Sequence, residues 1–258
     1  MMHAIWTAAT GMQAQQMRID AIANNLANVN TTAFKKSDVE FQDLLYQEVQ
    51  SPNVDDEGIQ LGLGVRPTAI VQNQAQGNMQ VTNNPLDLAI DGQGYFQVIQ
   101  NDASGTPAYT RDGSFQVNAT GQLVTSTGLL LSPGVQIPQG ATDVTIRENG
   151  QVFAQQPGQT EQVPIGQISL FTFPNAAGLK ALGNNLYSPT SASGVPVEGN
   201  PGSAGGAGFV RQGMLETSNV ELVTEMVMMI ATQKAYDTSS KAISVASTMM
   251  DTTNQLVK

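Results

Sequence analysis

Both ends of the chain carry an apolar stripe repeating every seventh residue, and this feature constrains the fold more than any other. At the N-terminus Ile5, Met12, Ile19 and Leu26 form one row. Ala8, Gln15, Ile22 and Val29 form a second row three residues later. That is an a/d heptad pattern with one polar position. Gly11 is its weak link, at about 1 kcal/mol relative to Ala. The run of Asn28, Val29, Asn30, Thr31 and Thr32 favours turns and stops the helix. At the C-terminus Leu222, Met229, Tyr236, Ile243, Met250 and Val257 repeat with the same period, and Met226, Ile230, Ala242, Ala246, Met249 and Leu256 widen the stripe. Ser218 and Glu221 spell a capping box, which predicts a helix of about 40 residues and about 60 Å from there. Amphipathic helices do not bury their stripes alone in water. The two ends must pack on each other, on the rest of the chain or on further copies, and the heptads do not say which.

Between the ends the sequence changes character. Residues 31–212 are rich in Gly, Pro, Gln, Val and Thr. Short β-type runs lie at residues 86–90, 95–99, 113–117, 122–125, 144–147, 151–154 and 168–173. Asp91-Gly92, Asp112-Gly113 and Thr120-Gly121 are hairpin or turn signals between them. Many short strands at this spacing predict an antiparallel sandwich or barrel-like domain. Residues 91–98 (DGQGYFQV) echo residues 112–117 (DGSFQV), which fits a hairpin pair or a duplication. Two segments, 51–64 and 199–208, have the composition of linkers. The expected fold is therefore α+β: long N- and C-terminal helices in a coiled-coil-like pair with an inserted antiparallel all-β domain. The expected division is 1–30 plus 217–258 as the helical part, 31–70 as an extended or β connecting segment, and 71–212 as the β-rich part.

Composition removes several functions. The 258 residues include no Cys and one His, so thiolate chemistry, Cys-ligated metals and a multi-His site are not expected. The net charge of −10 offers no basic stripe for nucleic acid. No run reaches the length of a membrane span, and the first residues lack the basic and apolar regions of a Sec signal. Only 12% of residues are charged, while Asn and Gln together number 45. Amide-rich helix faces suit packing against more protein, because they pair without burying charge. Asp91 and Asp112 each precede a Gly in a turn, which explains them better than a catalytic carboxylate pair. Asp55, Asp56 and Glu57 lack calcium-loop spacing. The glycines at 202–208 are followed by no Lys-Ser/Thr. The Met-rich run at Met226, Met228 and Met229 reads as core between subunits. No catalytic, cofactor-binding or metal-binding residue is expected, and no cofactor.

Residues 8–35, AATGMQAQQMRIDAIANNLANVNTTAFK, resemble the N-terminal signature of the flagellar rod and hook axial proteins through Asn24, Asn25, Leu26, Asn28 and Phe34. Residues 213–243 resemble the matching C-terminal signature through Glu216, Ser218, Asn219, Glu225, Gln233 and Tyr236. Residues 87–98 and 109–128 also match. Residues 43–67 resemble the insertion of distal rod subunits, with a proximal rod subunit as the alternative. A secreted β-rich hydrolase of cell-wall glycan is the remaining alternative, and it lacks an evident carboxylate pair. The resemblance implies a structural subunit of the distal rod that polymerises into a helical drive shaft and is not an enzyme. It implies export through the flagellar channel, proximal rod subunits below, hook subunits above, P-ring and L-ring proteins around, and no nucleic acid or membrane insertion. Self-association would fall to Ile5, Met12, Ile19, Ile22, Leu26 and Val29, and to Leu222, Met226, Met229, Tyr236, Ile243, Met250 and Val257. The two ends would be mostly disordered before assembly. Ala33 stands where the family usually has Gly. Ala disfavours positive φ, so the turn after the first helix is expected to differ.

Overall fold

The computed structural model describes residues 2–50, 59–100, 105–141, 143–156, 162–203 and 207–256. Two helices, α1 (Met2–Ala27) and α2 (Leu222–Leu256), bracket an antiparallel all-β region, so the fold is α+β as the sequence implies. The chain divides into two compact units. The first comprises residues 1–29, 36–73 and 220–258, the second residues 30–35 and 74–219.

In the first unit α1 and α2 run antiparallel. Asn25 meets Glu225, Arg18 meets Met228, and Gly11 lies beside Ser239. The heptad rows explain why. Met229, Tyr236, Ile243 and Met250 are half-buried, and seven residues apart on the neighbouring row Glu225, Thr232, Ser239 and Ala246 are buried or half-buried. Beyond Glu225 the second row is made of small side chains, Thr232, Ser239 and Ala246. On α1, Ala14, Ile22 and Asn25 are the buried positions. Strands β1 (Ser37–Asp43) and β4 (Val65–Gln72) pair antiparallel and pack on α1, while β2 (Tyr46–Gln50) and β3 (Ile59–Gly62) form a second pair. The acidic run at Asp55, Asp56 and Glu57 lies outside the described residues, as do Val257 and the glycines at 205–206.

Two local expectations are corrected. The capping box at Ser218 does not start the second helix. Its first turn begins at Leu222, with the Glu221 carbonyl accepting from the Glu225 N–H at 3.0 Å. The preceding residues are committed elsewhere: Thr217 N–H bonds the Asn78 carbonyl (2.8 Å), and Asn219 N–H bonds the Phe34 carbonyl (3.2 Å). The helix is therefore 35 residues, about 52 Å. Ala33 also does not avoid the left-handed region. It takes φ 53° in a buried position, held by its N–H to the Glu216 carbonyl at 2.8 Å. Tertiary contacts override an intrinsic cost of roughly 1–2 kcal/mol.

The second unit is built on a seven-stranded antiparallel sheet. Its spatial order is Lys180–Gly183, Leu186–Ser188, Pro107–Thr110, Phe96–Ile99, Leu130–Ser132, Leu123–Thr125 and Phe115–Val117. A three-stranded sheet (Asp143–Ile146, Gln151–Gln155, Gln162–Gln167) completes the core. Leu88, Ile90, Phe96, Phe115, Leu123, Leu131, Val152, Ile168 and Leu170 pack together there. Thr120-Gly121 does form a hairpin turn. Asn118 Oδ1 accepts from the N–H groups of Thr120 and Gln122, and strands 115–117 and 123–125 pair around it. Asp112 likewise accepts from Ser114 in a turn. The echoed segments do not form a hairpin with each other. Phe96–Ile99 and Phe115–Val117 are separated by two strands, although Phe96 and Phe115 touch edge to face at 5.2 Å. Leu88–Asp91 pairs instead with the remote strand Phe209–Gln212. No helix among the described residues is long and apolar enough to cross a membrane.

Candidate functional site

The described residues contain no cluster of His, Cys, Asp or Glu arranged to hold a metal. Two constructions stand out instead, one in each unit.

In the first unit, Asn25 joins three elements. Its side-chain Oδ1 accepts from the Ser37 N–H (2.9 Å), while Nδ2 donates to the Ser37 carbonyl (3.0 Å) and faces Glu225 Oε2 at 3.4 Å. Glu225 is buried in the first turn of α2, where the helix dipole favours a carboxylate. One amide thus satisfies both backbone groups of β1's first residue and meets the α2 carboxylate. Asn28 holds the end of α1 by donating from Nδ2 to the Asn24 carbonyl at 2.9 Å. Asn24 and Gln233 are themselves exposed.

Around this seam the first unit leaves apolar side chains uncovered. Ile22 is buried, and Ile5, Met12, Ile19, Leu26 and Val29 are half-buried. On α2, Leu222 and Met226 are exposed, whereas Met229, Tyr236, Ile243 and Met250 are half-buried. Val223, Val227 and Ile230 continue the open face, with Val227 61% exposed, and Val245, Met249 and Leu256 extend it toward the far end. Trp6 is 69% exposed. One face of each stripe is thus satisfied within the chain and another is not.

In the second unit, three charged side chains are buried together. Glu216 Oε1 accepts from Lys35 Nζ (2.6 Å) and from the Gly77 N–H (2.8 Å), and Oε2 accepts from Arg111 Nε (2.9 Å). Lys35 also donates to the Ala75 carbonyl at 2.7 Å, and Arg111 Nη2 to the Gly92 carbonyl at 2.9 Å. All three are at most 5% exposed. Burial alone would raise the Glu216 carboxyl. Arg111 and Lys35 outweigh it and hold the group below the usual carboxylate range. Burial, with the like charge of Arg111, pulls Lys35 down from its ordinary value, and Glu216 opposes this. Gly77 is required by close approach, since a Cβ there would lie 2.0 Å from the Thr217 carbonyl oxygen. The phenol of Tyr95, under the Arg111 guanidinium at 5.7 Å, is pushed up to about 12, chiefly by burial. Phe34 and Asn219 lie beside the cluster. Asn219 Nδ2 donates to the Ala75 carbonyl, and Ser218 is buried.

This cluster is the construction that the sequence reading missed. Its members are 181 and 105 residues apart, and no local periodicity joins them. The available signal was scarcity alone: with 12% charged residues, each Lys and Arg is uncommon, but Lys35 sits beside Lys36 and Arg111 beside Asp112, so neither stands apart locally.

Three family matches cover much of the chain. Residues 5–35 match the flagella basal body rod protein family, residues 89–154 the flagellar hook protein FlgE/F/G D1 domain, and residues 211–256 the flagellar basal body rod FlgEFG protein C-terminal family. Flagellar basal-body rod protein FlgG of Buchnera aphidicola subsp. Acyrthosiphon pisum is 43% identical over 99% of this chain and 100% of its own. FlgG of Caulobacter vibrioides is 43% identical over 99% of both chains. FlgG of Bacillus subtilis is 37% identical over 95% of this chain and 96% of its own. The chain belongs to the flagellar basal-body rod protein family. It is a structural subunit of the basal-body rod and not an enzyme, because the family is structural. Each of the three matched segments of this rod protein contributes one member of the buried cluster: Lys35, Arg111 and Glu216.

Proposed function

We propose that this rod subunit occupies the distal rod and polymerises through the apolar surface its two helices leave open. The exposed face of α2 carries the reading: Leu222, Val223, Met226, Val227 and Ile230 are all exposed within a few turns of helix. A patch of this kind on a chain from a filament-forming family is an interaction surface. Identical subunits joined by non-closing contacts give an open helical polymer.

In that polymer residues 1–30 and 217–258 form the inner tube and residues 71–212 the outer wall, with residues 31–70 connecting them. Ile5, Met12, Ile19, Leu26 and Val29, with Leu222, Met226, Met229, Tyr236, Ile243, Met250 and Val257, supply the helix contacts, and Ile22, buried within the subunit, backs them from inside. Proximal rod subunits lie below, hook subunits above, and the P-ring and L-ring proteins around a shaft that spans the periplasm. The subunit reaches it through the flagellar export channel without a Sec signal.

Leu222→Asp tests the reading. Leu222 is exposed, so the charge leaves the chain folded and places an unpaired carboxylate in the intersubunit core. Electron microscopy and sedimentation of the variant should show no polymer, while the near-ultraviolet tyrosine signal of the β unit melts as in the wild type. Normal polymers from Leu222→Asp would refute it.

A further inference from the structure

The buried cluster in the second unit is not charge-balanced. Lys35 and Arg111 each pair with Glu216, and no other carboxylate among the described residues lies within ion-pairing distance of either. Among the described residues, the hydrogen bonds to the Glu216 carboxylate come from Lys35, Gly77 and Arg111. The Arg111 side chain uses two of its five N–H groups in its bonds to Glu216 and the Gly92 carbonyl. Two buried cations therefore share one carboxylate.

Beside them lies a cavity of about 190 Å³. Gln74, Gln93, Tyr95, Arg111, Thr172 and Phe173 contribute to its wall. Gln74 Oε1 accepts the Tyr95 hydroxyl at 2.9 Å. Its Nε2, buried from solvent, has no hydrogen-bond partner. A buried unsatisfied donor costs roughly 1–3 kcal/mol, so its persistence calls for an acceptor. The same cavity thus has an idle amide donor and a guanidinium from a cluster with one excess positive charge.

We propose that this cavity is a binding site for a single carboxylate, held by Arg111 and the Gln74 side-chain amide. A carboxylate fits on three counts. Its one negative charge matches the one surplus positive charge. Its two oxygens can take the guanidinium N–H groups and the amide N–H together. The cavity exceeds the volume of a carboxymethyl group, and the rings of Tyr95 and Phe173 form part of its wall beside the polar groups. A free small carboxylate and the Asp or Glu side chain of a second copy share this chemistry.

The test uses the full chain with sodium acetate as probe and equal sodium chloride as control. A one-site ligand at ten times its Kd raises the melting midpoint of a chain this size by about 3–6 °C. Wild type should show that rise in acetate over chloride. Gln74→Glu keeps the acceptor for Tyr95 and supplies the carboxylate from within, so it should lose the acetate response. Gln74→Met removes the N–H without adding charge and should weaken the apparent affinity about tenfold or more. Sedimentation at rising protein concentration separates the sources. Acetate suppresses self-association if the occupant is a second copy's side chain, and leaves it unchanged if the occupant is a free carboxylate. Equal midpoints of the wild type in acetate and chloride would overturn the proposal. So would a Gln74→Glu or Gln74→Met response equal to that of the wild type.

Discussion

Replacing Glu216 with Gln removes the one negative charge of the buried cluster while keeping its shape. One side-chain oxygen can still accept from Lys35 and the Gly77 N–H. The other becomes an amide nitrogen facing Arg111 Nε, which lies 2.9 Å from the present oxygen. Two donors then oppose each other, and two cations remain buried without a counter-charge. Removing one partner of a buried pair costs about 3–5 kcal/mol. At about 2–4 °C per kcal/mol for a chain of this size, the midpoint should fall by about 6–20 °C. Near-ultraviolet circular dichroism is the assay of choice, because Tyr95, Tyr109 and Tyr187 pack in the aromatic cluster of the same unit. Replacing all three charges with apolar residues (Lys35→Met, Arg111→Met, Glu216→Leu) should recover most of the loss, since no buried charge is then left unpaired. A midpoint for Glu216→Gln within about 2 °C of wild type would mean that the carboxylate does not hold the two cations in place.

Three further outcomes are expected. The same cluster makes the β unit acid-labile: the folded Glu216 carboxyl lies below its unfolded value, so its contribution is complete above about pH 4.3 and is lost as pH falls through the folded value. Melts between pH 7 and pH 3 should show this fall, and Glu216→Gln should flatten it. Gly11→Ala should stabilise the first unit by about 1 kcal/mol, because an added Cβ meets only Ser239 Oγ, at 3.8 Å; denaturant titration of the helical signal would measure it. Asn25→Ala should cost about 2–3 kcal/mol in the same titration, since it strands both backbone groups of Ser37.

The parts legible in the sequence are those written in local periodicity. The row at Met229, Tyr236, Ile243 and Met250 is half-buried within the subunit, as an apolar stripe on a helix allows. The Asn118–Gln122 turn was legible because its chemistry lies within five residues. The start of α2 was not, because Thr217 and Asn219 spend their backbone groups on Asn78 and Phe34, over a hundred residues away in sequence. The partner of Leu88–Asp91 was hidden for the same reason. Ala33 shows the limit of propensity: the Glu216 carbonyl and the buried surroundings fix a φ that alanine avoids on its own. Of the candidate surface, the stripes could be read, but which face the chain covers itself could not. That depends on the β1–β4 pair packing on α1, which no heptad encodes.

The proposed contact between copies is the uncovered face of α2. Hydrogen exchange with mass spectrometry, on the soluble subunit and again on its polymer, addresses it directly. Peptides spanning residues 222–230 and 245–256 should exchange faster in the soluble subunit and become protected in the polymer, with the strands of the seven-stranded sheet unchanged. Equal exchange of those peptides in both states would contradict the claim.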